Sequence, residues 1–501
     1  MPDRGDFLLG IDAGGTLVKA LLVDGEGYAV AAGSASRPAS TPHPGWAERS
    51  MPEVQEVAGT AVRRCLSGAG VGPSAIAAIG IVGHNDGAYL LDASLRPVRP
   101  AILASDTRTE SLLDRWRRDG RLTAALPIIG QQPFAASPIA LLAWLSEHEP
   151  AVLDRAAHLL FCKDWIRLGL TGEVATDPTE ASASFTSVDS ALRGPAAYDD
   201  RILELYGVAD LGRLQPPILA STAVAGVVSE RAAAATGLRA GTPVITGCHD
   251  VDAAAVGVGA IEPGVLSLVA GTFAINQVVS TDLHLDGRWQ ARAFAVPGRL
   301  LNMSTSPASA SALDWFVRRF VGGTDEPDFG FVDDEVGQVA EDPDVPLFLP
   351  YLFGTPLLPH AEAGFIGLHG RHTRAHLLRA VLEGVVCNHR LHVDALRSAF
   401  DLAPVARATG GGMRSARWRQ LFADGLGIGI EVTDTDEAGA RGAAVLAGVG
   451  IGVYAGLEDA ITRTVRIRHV HEPDPARRAR FETTYARFQD VATRVHGDRP
   501  R

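Results

Sequence analysis

Apolar residues in this chain come in short blocks that close on an acid or a glycine turn. Residues 7–11 are apolar apart from Gly10. They end at Asp12, cross Ala13-Gly14-Gly15-Thr16, and continue in a second block over 17–23. Blocks of this length bounded by turn residues predict buried strands, here a hairpin. Residues 76–82 form a similar block and deliver Gly83-His84-Asn85-Asp86-Gly87. Blocks at 89–91 and 101–104 are expected to continue the sheet, the second delivering Ser105-Asp106-Thr107-Arg108. Residues 243–246 end at Gly247-Cys248-His249-Asp250. A small-residue helix over 251–258, a strand over 265–269, the turn Ala270-Gly271-Thr272 and a strand over 273–279 follow. Near the end, a strand over 405–409 runs into Gly410-Gly411-Gly412.

Helical spacing of about 3.6 residues marks 51–66, 138–148, 376–397, 418–426 and 438–449. The charged stretch 475–495 predicts a surface helix. The polar, small-residue stretch 176–185 reads as a ligand-facing loop or a solvated linker. The acidic stretch 322–344 reads as exposed, and the proline-split 346–354 as a loop or edge strand. Strand–turn–strand occurs near residue 12 and again near residue 270. This predicts a duplicated α/β unit, two domains with a cleft between them, and a boundary near 250–262.

Composition narrows the function. The net charge of −12 leaves no basic surplus to neutralise phosphates, which disfavours nucleic acid and anionic membranes as partners. Four scattered cysteines show no metal-ligand spacing and fit a reduced, cytoplasmic setting. Residues 1–7 lack the basic and apolar regions of a signal peptide, and no apolar run reaches membrane-spanning length.

The turns carry the candidate chemistry. Asp250 closes a strand, where it can meet a substrate hydroxyl or merely cap the following helix. Asp12 can hold a hydrated Mg²⁺, because hard cations take carboxylate oxygens and keep their waters. Gly14 and Gly15 permit positive φ and leave room for a phosphate. Lys19 can add a point charge, and Gly271-Thr272 can offer backbone N–H groups. Alternatively, residues 12–19 are a hairpin without a ligand. The loops at His84-Asn85-Asp86 and Asp106-Arg108 suit a polyhydroxylated ligand, or are Asx turns. Gly410, Gly411 and Gly412 remove side-chain bulk, so a flat ring or a phosphate can lie on the backbone. No G-K-[ST] follows the first glycines, which excludes a Walker A loop, and a strand rather than a helix follows them, which excludes a Rossmann fingerprint.

These motifs resemble the FGGY family of carbohydrate kinases, of the ribonuclease-H-like, actin/hexokinase ATPase superfamily. The resemblance runs through almost the whole chain. It is most specific at Ala363-Gly364-Phe365-Ile366-Gly367-Leu368, His376-Leu377 and Ala380-Val381-Leu382-Glu383. Within the family the sequence is most similar to kinases of L-xylulose, 3-keto-L-gulonate and erythritol. His249-Asp250-Val251-Asp252, Ala270 to Asn276, Ser306 to Ser309, Tyr351-Leu352-Phe353-Gly354 and His372 to Ala380 carry that likeness. Two departures stand against D-xylulose: Leu141 where a lysine usually precedes Trp144, and His84-Asn85-Asp86 in place of Gln-Met-His.

The resemblance implies two ribonuclease-H-like domains, 1–250 for the sugar and part of the phosphate site and 251–490 for the nucleotide. It implies ATP as phosphoryl donor and a small sugar or polyol as acceptor. Asp250 would be the base and Asp12 the holder of Mg²⁺, through water. Gly14, Gly15, Thr16, Lys19, Gly271 and Thr272 would face phosphates, and Gly410, Gly411, Gly412 and Ser415 the adenosine side. His84, Asn85, Asp86, Asp106 and Arg108 would face the sugar. A homodimer is also what the resemblance suggests. A dinucleotide dehydrogenase using the three glycines, or an ATP-binding sugar sensor without chemistry, are the competing classes. The missing Gly-x-Gly-x-x-Gly argues against the first, and the presence of Asp250 against the second.

Overall fold

The computed structural model describes residues 6–322, 328–358 and 361–496. Residues 1–5, part of the stretch on which the signal-peptide reading rests, and 323–327 of the acidic stretch lie outside the described residues. The chain divides into two compact units. Unit 1 comprises Met1–Ile261, Thr281–Leu301 and Glu437–Val465, and unit 2 comprises Glu262–Ser280, Asn302–Asp436 and Arg466–Arg501.

Unit 1 is built on β1 (Phe7–Ala13), β2 (Leu17–Asp24), β3 (Ala29–Ser36), β4 (Ile76–Gly83), β5 (Val224–Val227) and β6 (Pro243–Ile245), in the order β3-β2-β1-β4-β6-β5. β1 runs antiparallel to β2, with Asp12 opposite Lys19, and parallel to β4, with Asp12 opposite Val82. β6 runs parallel to β4. Leu9, Ile11, Ile79 and Ile81 are fully buried, each adding about 1.5–3 kcal/mol of apolar burial. The helix Met51–Ala69 buries Val54, Val57, Ala58, Ala61, Val62 and Cys65, the face its spacing predicts.

Glycines let the next layer come in backbone to backbone. A Cβ on Gly10 would stand 1.8 Å from the Ala440 carbonyl oxygen, and one on Gly80 1.9 Å from that of Ala443. Gly442 and Gly257 meet the carbonyls of Ala253 and Ala438 equally closely, at 1.9 Å. The helix Ala438–Gly450 therefore lies against both the sheet and the helix Asp250–Val258, which explains why residues 437–465 return to unit 1.

Unit 2 is built on β7 (Leu266–Ala270), β8 (Ala274–Ser280), β9 (Leu300–Ser306), β10 (Val405–Thr409), β11 (Gly429–Thr433) and β12 (Ile467–His471), in the order β9-β8-β7-β10-β11-β12. β7 is antiparallel to β8 and parallel to β10, which is parallel to β11. The run β9-β8-β7-β10-β11 repeats β3-β2-β1-β4-β6 of unit 1, with antiparallel first and second strands and a parallel fourth. The duplicated, mixed α/β architecture expected from the sequence is present.

Several local expectations change. Tyr89–Leu91 pairs with His158–Leu160, and Ala101–Ile102 with Glu48–Arg49, so neither continues the main sheet. These segments are too short to span it and find partners in the helical layer around Trp116 and Leu141. The stretch 176–185 is no solvated linker: Thr176, Asp177, Thr179, Glu180 and Ser184 are fully buried. The acidic stretch holds the helix Phe329–Gly337, with Val332 and Val336 buried. Asp328 starts that helix by accepting from Gly330 N at 2.9 Å. By contrast, Leu347–Leu349 is the edge strand expected as one alternative for the proline-split stretch, paired antiparallel with Gly364–Ile366 in a two-stranded sheet. The helix Pro475–His496 is not purely a surface helix, because Phe481, Tyr485, Phe488 and Ala492 are buried at helical spacing. Among the described residues, no helix is long and apolar enough to cross a membrane.

Candidate active site

In unit 1 the carboxyl ends of three parallel elements come side by side. Ala13 pairs with Gly83, and Gly83 bridges to His249. This register puts Asp12, the His84–Asp86 loop and Asp250 on one edge of the sheet, where open α/β sheets bind ligands. Asp250 is the first residue of the helix Asp250–Val258. His249 is the N-cap and makes no side-chain capping bond. His249 Nε2 lies 3.2 Å from Asp250 Oδ1, and the Asp250 side chain keeps about a quarter of its surface exposed.

The two acids divide their electrostatics. Burial pushes the Asp12 carboxyl up, as does the charge of Asp250, and together they outweigh Lys19, bringing Asp12 to about 7. Burial also works against the Asp250 carboxylate. The hydrogen bond from His249 and the charges of His249 and His84 outweigh it, so Asp250 sits below the usual carboxylate range. Two acids with divergent pKa values are the signature of divided acid–base and ligand roles. Asp12 Oδ1 is buried without a hydrogen-bond partner among the described residues. An orphaned carboxylate oxygen beside a second carboxylate fits a divalent cation, which would relieve both the missing bond and the repulsion. The bare Cα of Gly439 makes room for Asp12, since a Cβ there would stand 2.3 Å from Oδ2.

The turn after β1 differs from expectation in one respect. Neither Gly14 nor Gly15 takes positive φ. Their value is space: a Cβ on Gly15 would meet nothing within 4 Å. Gly15 and Thr16 are exposed, and Arg49 braces the turn by donating to the Gly15 carbonyl at 3.2 Å. Lys19 is not a free point charge, because its Nζ pairs with Glu437 at 2.6 Å.

The His84–Asp86 loop is buried and tightly held. His84 N donates to the Ala13 carbonyl at 3.0 Å, and Asn85 Nδ2 to the Thr179 carbonyl at 3.2 Å. Asp86 has φ +64°, a left-handed conformation uncommon outside glycine but open to aspartate. Its carboxylate faces Arg292 at 3.4 Å, and Arg292 Nε donates to Gln131 Oε1 at 3.0 Å. Sequence reasoning missed Arg292 and Gln131, which lie outside any local motif. Asp252 was visible two residues after Asp250. Its carboxylate is buried and accepts from Ala295 N at 3.2 Å.

Asp106 and Arg108 do not present themselves to a sugar. Asp106 Oδ2 accepts from Ala47 N at 2.7 Å and from Arg108 Nη2 at 2.8 Å, while Oδ1 accepts from Arg108 Nε at 2.9 Å. Arg108 also pairs with Glu48 at 2.7 Å and stacks 3.8 Å over the Trp46 ring. Both side chains are fully buried and pair with each other, leaving only Arg108 Nη1 of the guanidinium without a hydrogen-bond partner among the described residues.

In unit 2, Gly271-Thr272-Phe273 forms the turn between β7 and β8. Thr272 and Phe273 are exposed, and the Gly271 carbonyl accepts from Ala310 N at 2.9 Å. The three glycines after β10 divide into two kinds. Gly410 takes φ +98°, and a Cβ there would stand 2.7 Å from the Ala270 carbonyl carbon. A Cβ on Gly412 would come within 2.9 Å of the Trp418 ring. Those two close the turn against its neighbours, and only Gly411 faces open space. Ser415 is buried and occupied: it caps the helix Ala416–Leu426, accepting from Trp418 N at 2.9 Å, and donates to Asp333 at 2.5 Å. It is therefore a capping residue whose proton is committed to Asp333.

Comparison with known proteins gives a consistent answer. Residues 7–257 match the N-terminal domain of the FGGY family of carbohydrate kinases, and residues 266–451 its C-terminal domain. L-xylulose/3-keto-L-gulonate kinase of Escherichia coli is 32% identical, over 98% of this chain and 97% of its own. Erythritol kinase of Brucella abortus is 29% identical, over 98% and 96%. The crystal structure of xylulose kinase from Rhodospirillum rubrum superposes with a TM-score of 0.86 at 30% identity, covering 98% of this chain and 99% of that one. Both units repeat a mixed sheet of the actin/hexokinase ATPase type, and both halves match the corresponding family domains; the chain belongs to the FGGY family of carbohydrate kinases.

Proposed function

We propose that this enzyme, a phosphotransferase that uses ATP, phosphorylates a terminal hydroxyl of a small sugar or polyol of the L-xylulose, 3-keto-L-gulonate or erythritol class. Residues 1–250 supply the acceptor site and part of the phosphate contacts, and residues 251–490 the nucleotide contacts. The observation that carries the reading is Asp250: an ionised carboxylate, partly open to solvent, on the same sheet edge as Asp12 and the buried His84–Asp86 loop.

Asp250 takes the proton from the acceptor hydroxyl as that oxygen attacks the γ-phosphorus in line. General-base assistance of this kind contributes about 10²–10⁴-fold. Positioning supplies most of the remainder. Asp86, held by Arg292, and His84 bind acceptor hydroxyls, with Asn85 shaping their loop. Asp12 would hold Mg²⁺, which would neutralise phosphate charge. Backbone amides of Gly14, Gly15 and Thr16 in unit 1, and those of Gly271 and Thr272 in unit 2, are the phosphate contacts of this reading. Gly411, flanked by Gly410 and Gly412, offers bare backbone to the adenosine. The acidic net charge and the four buried free cysteines support a cytoplasmic enzyme without a nucleic-acid partner.

The test is ADP release over a panel of tetritols, pentuloses including D-xylulose, and keto-sugar acids, with wild type and Asp250→Asn. The expected outcome is turnover with a member of the first-named class, lost by at least about 100-fold in the variant. ATP binding should be retained. Preference for D-xylulose would replace the acceptor, and a fully active variant would replace the base.

A further inference from the structure

A buried charged cluster in unit 1 has no part in the chemistry above. Lys163, Asp164, Arg167, Asp177 and Glu180 are all fully buried. Lys163 Nζ lies 2.7 Å from Asp164, 3.1 Å from Asp177 Oδ1 and 3.4 Å from the Thr246 carbonyl. Removing so many charges from water is costly, and apolar residues of similar volume would fill the space more cheaply. A role in position rather than in stability therefore has to be sought in what the cluster holds.

It holds two hydroxyls, and one of them leads to the candidate base. Asp177 Oδ2 accepts from Ser221 Oγ at 2.7 Å, from Thr179 Oγ1 at 2.9 Å and from Thr179 N at 3.1 Å. With its proton committed to Asp177, Thr179 Oγ1 has only lone pairs left to offer. It accepts from His249 N at 2.8 Å. The residue after His249 is Asp250. This connection matters because the helix Asp250–Val258 has no side-chain cap of its own. The preceding turn is held by its backbone: Gly247 N donates to the Ser221 carbonyl at 2.9 Å, Gly247 takes φ +77°, and a Cβ there would stand 1.7 Å from the Ile81 carbonyl oxygen.

We propose that Thr179, oriented by Asp177 and Lys163, is a positioning residue that sets where the Asp250 carboxylate stands. The proposal rests on reading Asp250 as the proton acceptor. A misplacement of about 1 Å in such a group costs up to about 100-fold in rate. Thr179→Val keeps the shape and removes the acceptor, and Thr179→Ser keeps the acceptor. The expected result is a 10- to 100-fold fall in kcat for Thr179→Val, with KM for acceptor and ATP within about twofold and kcat restored in Thr179→Ser. In an Asp250→Asn background, Thr179→Val should add nothing to the loss, because two residues acting through one function are not additive. Should Thr179→Val fail to fold, Thr179→Ala takes its place in the same comparisons. Wild-type kcat in Thr179→Val, an equal loss in Thr179→Ser, or an additive loss in the double variant would overturn the proposal while leaving Asp250 as the base. Full turnover in Asp250→Asn alone would remove the base, and the positioning role with it.

Discussion

At the scale of single residues, Asp12 and Asp250 show how neighbours divide a charge. Both end an apolar block, yet burial and the neighbouring Asp250 charge lift Asp12 to about 7, while histidines keep Asp250 ionised. The position of Asp12 depends on a missing side chain at Gly439, and this gives a separable prediction. Gly439→Ala places a Cβ 2.3 Å from Asp12 Oδ2 and must displace it. Alanine also improves helix propensity by up to about 1 kcal/mol. Activity should fall by at least about tenfold, with a raised Mg²⁺ requirement, while the melting temperature holds or rises; a joint fall of both would show damage to the fold instead. Asp12 and Asp250 were readable because an acid that closes an apolar run stands at a strand end. Asp106 has the same local pattern but is spent on Arg108 and Ala47 N, and Ser415 is spent on a helix cap. Local pattern does not say which way a strand-end side chain finds its partner.

At the scale of elements, glycine spacing controls how closely layers approach. Gly442 packs against the Ala253 carbonyl and Gly80 against that of Ala443, both at distances no Cβ tolerates. Gly442→Val should destabilise unit 1 by more than about 3 kcal/mol, beyond ordinary overpacking, because backbone rather than a side-chain tip must move. Denaturant titration reads this directly, and a loss under about 1 kcal/mol would refute the close packing. Gly411→Ala serves as the contrast, since nothing lies within 4 Å of the added carbon. Stability should stay within about 0.5 kcal/mol and KM for ATP should rise. The strands around these glycines were legible from run length alone. The helix Phe329–Gly337 and the buried face of Pro475–His496 were obscured by dense charge, which hides apolar positions at helical spacing.

At the scale of the whole molecule, the two units carry different sensitivities. Unit 2 buries His389 and His392 as neutral rings. Burial takes both to about 3, helped at His389 by His392. His392 Nδ1 lies 2.7 Å from Ser304 Oγ, and His389 Nδ1 2.8 Å from Asn276 Oδ1. Their folded pKa lies below the free value of about 6.5, so the unfolded chain takes up protons first. The stability they contribute is complete above about pH 6.5 and is lost as pH falls toward 3, with a slope of up to about 2.7 kcal/mol per pH unit for two protons. Urea unfolding should show a transition of unit 2 that weakens from pH 7 to pH 5. His392→Gln should flatten that dependence by about half, and an unchanged slope in the variant would exclude this origin.

The sequence by itself determined where the main strands end and which turns follow them, and hence the duplicated architecture and the two strand-end acids, while its motifs carried the family resemblance. These are local properties, because a run of apolar residues and the acid that closes it are neighbours in the chain. Only the tertiary structure decided which polar groups remain available. Asp86 meets Arg292 across 206 positions, and Thr179 meets His249 across 70. Burial drives most such groups to a partner, and that partner comes from wherever the fold brings the chain back rather than from the adjoining sequence.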